Sequence, residues 1–502
     1  MDKKGQFFDY INDGYKTKGE YINLGAGMLG EETITGAFVK LPLKTINRHG
    51  LIAGATGTGK TKTLQVFAEN LSDAGIPVLL MDVKGDLSGL AQASEGHSKI
   101  DERHKKIGFP FEAKAFPIEI LTISEQDGTR MRATVAEFGP TLLSRILDLS
   151  ETQKGIIAVL FKYCDDNQLP LLDLKDLKKI LQFATNEGKK ELEASYGRIS
   201  TASTGAILRK IVEIEQQGGD LFFGERSFEM DDLIRIDENG RGVISVLRLT
   251  DIQDKPKLFS TFMLQLLAEI YETLPEQGDS GRPELVLFID EAHLIFREAS
   301  KALLNQIESI VKLIRSKGVG IYFVTQNPKD IPANVLSQLG LKIQHALRTF
   351  TANDRKAIKL VAQNYPDSPY YDTATVLTEL GIGEALISGL SEKGIPTPLV
   401  RTMLRAPMSR MDILSPSEIK EVINASSIYK KYTTEIDRES AYELLNEKIK
   451  KINTLKEEEV QKTKTTRKST SRKSTRINPI LKVVTSATFI RGVLGILKKV
   501  LK

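Results

Sequence analysis

The sequence predicts an α/β fold built on a largely parallel, doubly wound sheet, and three stretches predict it. Residues 50–71 read as a short apolar strand, a glycine-rich turn and a helix. Residues 76–82 and 285–291 are apolar runs that end in carboxylates, as expected of buried parallel strands. Strands that alternate with helices along a chain form a parallel sheet with helical crossovers.

The first of these stretches carries a phosphate-binding motif. Residues 54–61 fit the pattern G-x-x-x-x-G-K-[ST]. A strand, a glycine turn and a helix N-terminus bring backbone N–H groups onto one point, and that geometry binds phosphate. A glycine-rich turn matching by chance is the alternative, and the helix that follows argues against it. Its apolar stripe is Leu64, Phe67, Ala68 and Leu71.

The motif predicts ATP as the ligand, with Mg²⁺. Lys60 would reach the β- and γ-phosphates, and the Thr61 hydroxyl would ligate the metal ion. The nucleotide-binding residues predicted from the sequence are Gly54, Ala55, Thr56, Gly57, Thr58, Gly59, Lys60, Thr61, Lys62 and Asp290.

The two acids that end the run at 285–291 are the partner that a phosphate loop requires. Asp290 would hold Mg²⁺ together with Thr61, and Glu291 would polarise the attacking water. Gln326 follows the next core strand and would sense the γ-phosphate, because an amide can bridge phosphate and water. A glutamine that only caps a loop is the alternative reading. These residues predict ATP hydrolysis.

Other polar residues near these motifs are less specific. Asp82 and Asp86 could face the same pocket, but turn chemistry explains them equally well. His293 is not expected to bind metal, because the five histidines show no H-x-x-x-H spacing.

Two arginines bracket the motifs, Arg48 just before the first strand and Arg315 near the end of the helix that follows Glu291. An arginine that completes a neighbouring subunit's site strongly accelerates phosphoryl transfer, although most arginines are simply surface residues. The sequence contains one phosphate loop, and a motor that moves along a polymer needs at least two ATPase lobes. A motor reading therefore requires an oligomer, most simply a ring.

Changes of composition along the chain suggest seven segments. We expect a small β element, the first part of the ATPase core, a helical insertion, the second part of the core, a helical appendage, a basic disordered linker and an amphipathic C-terminal helix. Their bounds are 1–43, 44–124, 125–240, 241–405, 406–460, 461–479 and 480–502.

Charge and cysteine content limit which class of protein this chain can belong to. The chain of 502 residues has a net charge of +5, but residues 461–502 hold twelve Lys or Arg and no acid, so the body is mildly acidic. The single cysteine, Cys164, excludes a disulfide scaffold and a cysteine-based zinc cluster. With no signal peptide and no uncharged apolar run of about 18 residues, we expect a cytoplasmic protein.

Several stretches resemble the HerA/FtsK superfamily of ring translocases, and within it the bacterial "helicase HerA-like" group typified by YjgR. The similarity covers roughly residues 20–405 and the last segment. The stretches that carry it are 47–61, 138–149, 285–293, 316–328, 346–351 and 491–495.

The resemblance implies a RecA-like P-loop core, a homo-hexamer and ATP-driven translocation on double-stranded DNA. It also implies that Arg315 acts as a finger in trans and that Arg48 lies at the subunit interface. The basic tail would contact DNA phosphates or remain a solvated extension. The basic tail is not a general feature of these motors, and HerA itself has an N-terminal β-barrel where this chain has about 43 residues.

A different class of function stays open beside the motor. The chain could be an ATP-driven switch or assembly factor that acts on protein partners. Residues 480–502 form a cationic amphipathic segment that could lie on anionic lipid, or dock on the body of its own or a neighbouring subunit. Docking on protein is the simpler expectation.

Overall fold

The architecture is organised around one mixed β-sheet. The structure, a computed structural model, describes residues 2–278, 281–298, 301–348, 351–434, 436 and 438–468. Within these residues, twelve strands join the sheet. They are β1 (Tyr21–Leu29), β2 (Glu32–Pro42), β3 (Gly50–Ala53), β4 (Val78–Asp82), β5 (Ile118–Thr122), β6 (Thr129–Arg130), β7 (Ile244–Arg248), β8 (Leu285–Ile289), β9 (Val319–Thr325), β10 (Leu341–Gln344), β11 (Glu384–Ser388) and β12 (Val400–Leu404).

Helices make most of the connections between these strands. Those in the described residues are α1 (Lys3–Gly14), α2 (Lys60–Asp73), α3 (Ser98–Ile107), α4 (Val135–Ile146), α5 (Glu151–Asp166), α6 (Leu174–Thr185), α7 (Lys189–Tyr196), α8 (Thr201–Glu215), α9 (Gly219–Phe222), α10 (Pro256–Thr273), α11 (His293–Glu298), α12 (Lys301–Leu313), α13 (Ala333–Leu336), α14 (Ala352–Ala362), α15 (Thr373–Glu379), α16 (Pro416–Ala425), α17 (Tyr429–Thr433) and α18 (Ala441–Lys468).

The strand order explains where a site can form. Across the sheet it is β2-β1-β12-β11-β10-β3-β9-β8-β4-β7-β5-β6. The pairings from β10 to β6 are parallel and those from β2 to β10 are antiparallel. The predicted α/β class with a largely parallel sheet is confirmed. We call the two ends of strands β3, β4, β8 and β9 the carboxyl edge and the amino edge.

An aromatic cluster fixes α2 against the sheet beneath it. The Phe67 ring lies 5.4 Å from Phe288 on β8 and 5.0 Å from Tyr322 on β9, measured between centroids. All three rings are fully buried or nearly so. Full burial of one such side chain contributes about 1.5–3 kcal/mol, so the cluster holds the middle of α2 in a defined place over β8 and β9.

The N-terminal segment differs from the small β element expected at 1–43. Residues 3–14 form a helix, α1, and the β1–β2 hairpin extends the main sheet instead of standing apart. The hairpin joins the sheet through β12, where Gly25 lies opposite Leu404. This antiparallel pairing joins residues almost 380 positions apart, so no local pattern in the sequence could reveal it.

The segments before β7 and after β12 also differ in part from the predicted helical insertion and the predicted linker. Helices α4 to α9 occupy most of the predicted insertion at 125–240, but β6 at its start still belongs to the sheet. Helix α18 runs to Lys468, so residues 461–468 are helical where a disordered linker was predicted. Lys and Gln are good helix formers, which lets the helix continue. The predicted C-terminal helix at 480–502 lies outside the described residues.

By contacts the chain divides into two units, Met1–Leu445 and Asn446–Lys502. The sheet and all of the predicted site residues belong to the first unit. The described part of the second unit is the remainder of α18. Among the described helices, none combines the length and the apolar character that a membrane crossing would need.

Candidate active site

The phosphate loop, residues 54–59, connects β3 to α2. Gly54, Gly57 and Gly59 adopt positive φ angles of 154°, 77° and 107°, which residues with a Cβ adopt with strain. A Cβ on Gly54 would also lie 2.5 Å from the Cβ of His345. The chain can therefore turn from strand to helix here only with glycine at the first position of the motif.

Neighbouring strands hold the loop from both sides. The Gly54 N–H donates to the Thr325 carbonyl at 3.3 Å, and the Ala55 N–H donates to the Ala346 carbonyl at 2.9 Å. The Gly383 N–H donates to the Thr58 carbonyl at 3.1 Å. These bonds leave the loop's shape fixed before any nucleotide binds, which is what an anion cradle requires.

Lys60, the first residue of α2, is folded over this loop. Its Nζ donates to the carbonyls of Gly54 at 2.7 Å and Ala55 at 3.0 Å, and the side chain is buried. Burial lowers the pKa of Lys60, and the nearby ammonium of Lys84 lowers it further. The amine therefore lies at the mouth of the loop, where a phosphate would meet it.

Lys62 is directed elsewhere. Its Nζ donates to the Met411 carbonyl and, at 3.3 Å, to Gln65 Oε1. Burial lowers the pKa of Lys62. The side chain thus ties α2 to the strap of residues 405–414, and its predicted nucleotide contact stays a prediction.

The acids at the end of β8 lie in a buried environment. Asp290 and Glu291 are 6% and 5% exposed. Burial raises the pKa of Asp290 to about 7, against the effect of the Lys84 ammonium. Glu291 has a φ of 46°, an uncommon conformation for a residue with a side chain and one found often at functional sites.

Three side chains surround the Glu291 carboxylate. Lys84 Nζ lies 2.6 Å from Oε1, and Gln326 Nε2 lies 3.5 Å from the same oxygen. His293 Nδ1 lies 3.0 Å from Oε2. Burial opposes ionisation of Glu291, but the hydrogen bond and charge of Lys84 outweigh it and lower the pKa. The carboxylate is held ionised.

The strand order brings these groups together. β9 lies between β3 and β8, so Gln326 leaves the carboxyl edge between the phosphate loop and Glu291. β4 lies on the other side of β8, so Lys84 leaves the same edge beside Glu291. Phosphate loop, amide, acids and lysine therefore form one row along the carboxyl edge.

Lys84 is the site residue that sequence reasoning missed. Asp82, buried at the end of β4, accepts hydrogen bonds from the N–H groups of Gly85 and Asp86 at 2.7 and 3.2 Å, and of Leu87 at 3.2 Å. This is the turn chemistry offered as one alternative for Asp82. A lysine between two acids directly after a core strand was the available signal.

The donor set fits Mg²⁺ at Thr61 and Asp290. Burial disfavours the ionised form of Asp290, and a nearby divalent cation would favour it. Mg²⁺ takes only one or two protein ligands beside phosphates and waters. Among the described residues, no three His, Cys, Asp or Glu side chains gather into a metal-binding group. His293 contacts Glu291 instead.

Arg48 and Arg315 meet at the opposite, amino edge. Both line a cleft of about 360 Å³, together with Lys44 and Lys312. His49 holds this edge, because its Nε2 donates to the Val311 carbonyl at 2.7 Å and its Nδ1 accepts from the Ile321 N–H at 3.0 Å. The structure therefore places the two arginines with each other and away from the phosphate loop of their own chain.

Comparisons with known proteins identify the family to which the chain belongs. The model of the family described as "Helicase HerA-like C-terminal" matches residues 28–490. The DNA double-strand break repair helicase HerA of Saccharolobus solfataricus is 24% identical over 403 residues, which cover 78% of this chain and 71% of the relative. The HerA helicase of Sulfurisphaera tokodaii is 24% identical over 360 residues, 70% of this chain and 64% of the relative. The chain thus spans about two thirds of the length of these relatives.

A solved structure shares the fold. The plasmid coupling protein TrwB, in complex with the non-hydrolysable ATP analogue ADPNP, superposes with a TM-score of 0.51 at 15% sequence identity. The superposition covers 80% of this chain and 99% of that protein. At this identity the likeness describes the arrangement of strands and helices.

Proposed function

Because the chain belongs to the family of helicase HerA-like C-terminal domains, we propose that it is an ATP-hydrolysing motor that translocates on or remodels double-stranded DNA. The resemblance to the HerA/FtsK superfamily predicted from the sequence is confirmed, as is an ATPase of the helicase class. The single observation that carries the proposal is the row of phosphate loop, Gln326 and Glu291 along the carboxyl edge.

Nucleotide binding is assigned to the phosphate loop and the start of α2. The loop N–H groups and the N-terminus of α2 would bind the β-phosphate, and Lys60 would exchange its two loop carbonyls for phosphate oxygens. Thr61 and Asp290 would hold Mg²⁺. When bound, the ion supplies charge neutralisation on the phosphates.

Water activation is assigned to Glu291 and Gln326. Glu291 is the ionised carboxylate at this edge and would take the proton of the attacking water. The amide of Gln326 is exposed and lies within 3.5 Å of that carboxylate, so it can orient the water against the γ-phosphate. The alternative of a simple loop cap does not account for its contact with Glu291.

The arginines support an oligomer. Gln326 follows β9 and Arg315 precedes it, and seven residues of strand span about 23 Å. An arginine side chain cannot bridge that length, so Arg315 would serve the site of a neighbouring subunit. Arg48 lines the same cleft. We propose that these residues lie at the interface of a homo-hexameric ring, with Arg315 as the finger in trans.

The cleft at the amino edge is chemically suited to a phosphate from outside. Its two acids are already engaged within the chain, Glu276 with Lys317 at 3.3 Å and Glu392 with the N–H groups of Lys18 and Gly19 at 2.8 and 2.6 Å. The lining of the cleft carries four cationic side chains against these two carboxylates. A neighbour's triphosphate would meet net positive charge.

Double-stranded DNA is the proposed polymer, and a cytoplasmic location accompanies it. The basic residues after 461 would contact DNA phosphates, each contact adding to the salt dependence of binding. The protein-directed switch remains the second candidate from the sequence. The form of this candidate function that acts at a membrane depends on residues 480–502, which lie outside the described part of the chain.

The test compares ATP turnover with and without duplex DNA over a range of salt, beside the mass of the assembly with nucleotide. We expect a hexamer whose turnover rises with duplex DNA and whose response falls steeply with salt. A monomer that hydrolyses ATP at full speed without DNA would contradict the motor. Vesicle binding that is lost on removal of residues 477–502, with no response to DNA, would favour the switch.

A further inference from the structure

Lys84 projects into the active site from a turn built to hold it. The buried carboxylate of Asp82 accepts hydrogen bonds from three consecutive N–H groups, those of Gly85, Asp86 and Leu87. Gly85 has a φ of 76°, which completes the tight turn. The backbone that carries Lys84 is therefore fixed, whereas its side chain is long and 36% exposed. A change of partner for Lys84 would therefore require movement of its side chain and not of the turn.

Lys60 and Lys84 both lie at the carboxyl edge, Lys60 at the phosphate loop that follows β3 and Lys84 after β4. The Lys84 side chain reaches Glu291, and its charge, after burial, is the main cause of the lowered pKa of Lys60. Burial opposes the charged form of Lys84, but the carboxylates of Asp290 and Glu291 outweigh it and raise its pKa. Within the chain these carboxylates balance the two ammonium groups, and a γ-phosphate would compete with them for Lys84.

The partner of Lys84 within the chain is the base that hydrolysis requires. Lys84 Nζ lies 2.6 Å from Glu291 Oε1, and the glutamate side chain is only 6% exposed. A carboxylate that accepts a short, charge-assisted hydrogen bond binds a further proton less readily. While this ion pair persists, Glu291 is a poor base for water.

We propose that Lys84 is a γ-phosphate-sensing residue, which leaves Glu291 for the γ-phosphate when a triphosphate binds and so releases the base. This inference rests on the proposed ATPase function. A diphosphate offers no γ-phosphate, so the ion pair stays intact and the site stays idle. Release of the base is thereby tied to the presence of the group to be transferred.

The test compares the parent protein with the Lys84→Met variant. For each, the affinities for ADPNP and for ADP are measured in the presence of Mg²⁺. We expect the variant to lose about tenfold in affinity for ADPNP and to keep its affinity for ADP, because a charge-assisted contact to the γ-phosphate is removed. Lys84→Arg should keep most of the preference for the triphosphate. Lys84→Gln provides a second uncharged variant if Lys84→Met does not fold.

A matched control is Lys178→Met. Lys178 forms an ion pair of the same length, 2.6 Å, with Glu215 in the helical region between β6 and β7. This variant should bind both nucleotides like the parent. Equal losses for ADPNP and ADP in Lys84→Met, or no loss for either, would overturn the proposal, as would an increase in turnover with an unchanged triphosphate preference.

The binding measurement separates this inference from the proposed motor. A parent that shows a Lys84-dependent preference for ADPNP but no ATP turnover would contradict the motor and support Lys84 as the sensor. A parent with DNA-stimulated turnover whose triphosphate preference survives in both uncharged variants would support the motor and contradict the sensor.

Discussion

The two edges of the same parallel strands have opposite chemistry. At the carboxyl edge, Lys60 donates to two carbonyls of the phosphate loop, and Lys84, His293 and Gln326 surround Glu291, at distances of 2.6–3.5 Å. At the amino edge, Arg48 and Arg315 line a cleft that they share with Lys44 and Lys312. Under the proposed function, one edge would bind and cleave a triphosphate, and the other would complete the site of a neighbouring subunit.

If the proposed roles are correct, each chain carries two half-sites at opposite edges of its sheet. The strands that join them are four to seven residues long, so the edges cannot meet within one subunit. In the ring that we propose, the amino edge of one copy would meet the carboxyl edge of the next at every interface. The comparison therefore predicts which pairs of defective subunits can restore one another.

The largest effect is expected at the amino edge. Arg315→Ala should lower ATP turnover by about 10⁴-fold, since a finger in trans stabilises the charge of the transferring phosphoryl group. Nucleotide affinity should remain, because the phosphate loop is untouched. Turnover and fluorescent-nucleotide binding measure the two quantities. The control is Arg209→Ala, which removes an exposed arginine of α8 and should change neither.

Mixed rings test whether the two edges act across an interface. Arg315→Ala subunits mixed with Lys60→Ala subunits should recover part of the turnover, because some interfaces then combine an intact Lys60 with an intact Arg315. An identical experiment with Arg48→Ala shows which arginine acts in trans. Absence of recovery in both mixtures would mean that the edges do not cooperate between subunits.

A smaller loss is expected from the base at the carboxyl edge. Glu291→Gln should lower turnover by about 10³-fold while ATP binding persists, since the phosphate cradle is kept and the proton acceptor is removed. Mixing Glu291→Gln with Lys60→Ala should restore nothing, because every site then lacks one residue of the same edge. Recovery in that mixture, or turnover near the parent rate in Glu291→Gln, would place Glu291 outside the catalytic group.

The carboxyl edge was largely predictable from the sequence. A phosphate loop and a strand that ends in two acids are local patterns, and each stands in a stretch of fewer than about 20 residues. They predicted the strands now seen as β3, β8 and β9 and the position of Gln326 at the end of β9. Site residues that belong to one short stretch of sequence can therefore be predicted from the sequence alone.

The rest depended on strand order, which the sequence does not display. Lys84 meets Glu291 because β4 pairs with β8, although about 200 residues separate them. Arg48 and Arg315 share a cleft because β3 pairs with β9. The sequence pointed to both arginines through their spacing and the resemblance, but only the sheet shows that they are neighbours. The β1–β2 hairpin was misjudged for the same reason.

The phosphate loop itself offers a sharper test of the carboxyl edge through stability. Gly54→Ala should lower the free energy of unfolding by about 3 kcal/mol, since φ is 154° and the new Cβ would lie 2.5 Å from His345 Cβ. Gly57→Ala should cost only about 1 kcal/mol, because φ is 77° and nothing lies within 4 Å of its Cβ. Urea unfolding without nucleotide measures both. Equal costs would show that the loop is not fixed by its neighbours.

The last prediction concerns the pH dependence of stability that two buried histidines produce, one at each edge. Burial lowers the pKa of His49, at the amino edge, to about 4, and does the same for His345, which lies beneath the phosphate loop. The folded chain therefore keeps both rings neutral while the unfolded chain binds protons below pH 6.5. The stabilisation from neutral burial is complete above pH 6.5 and is lost as the pH falls towards 4, by about 1.4 kcal/mol per pH unit for each ring.

Chemical unfolding at pH 6.5 and pH 5 measures this slope in the parent, in His49→Gln and in His345→Gln. Each variant should lose about 2 kcal/mol less than the parent between the two pH values, because one proton no longer binds on unfolding. Glu69, Asp82 and Asp290, whose pKa values are raised by burial, act in the opposite direction but equally in parent and variants. The two edges differ in chemistry but should match in this quantity, because burial and not catalysis lowers both pKa values. A variant that keeps the parent's slope would mean that its histidine is solvated, and that the edge it holds opens more readily than the other.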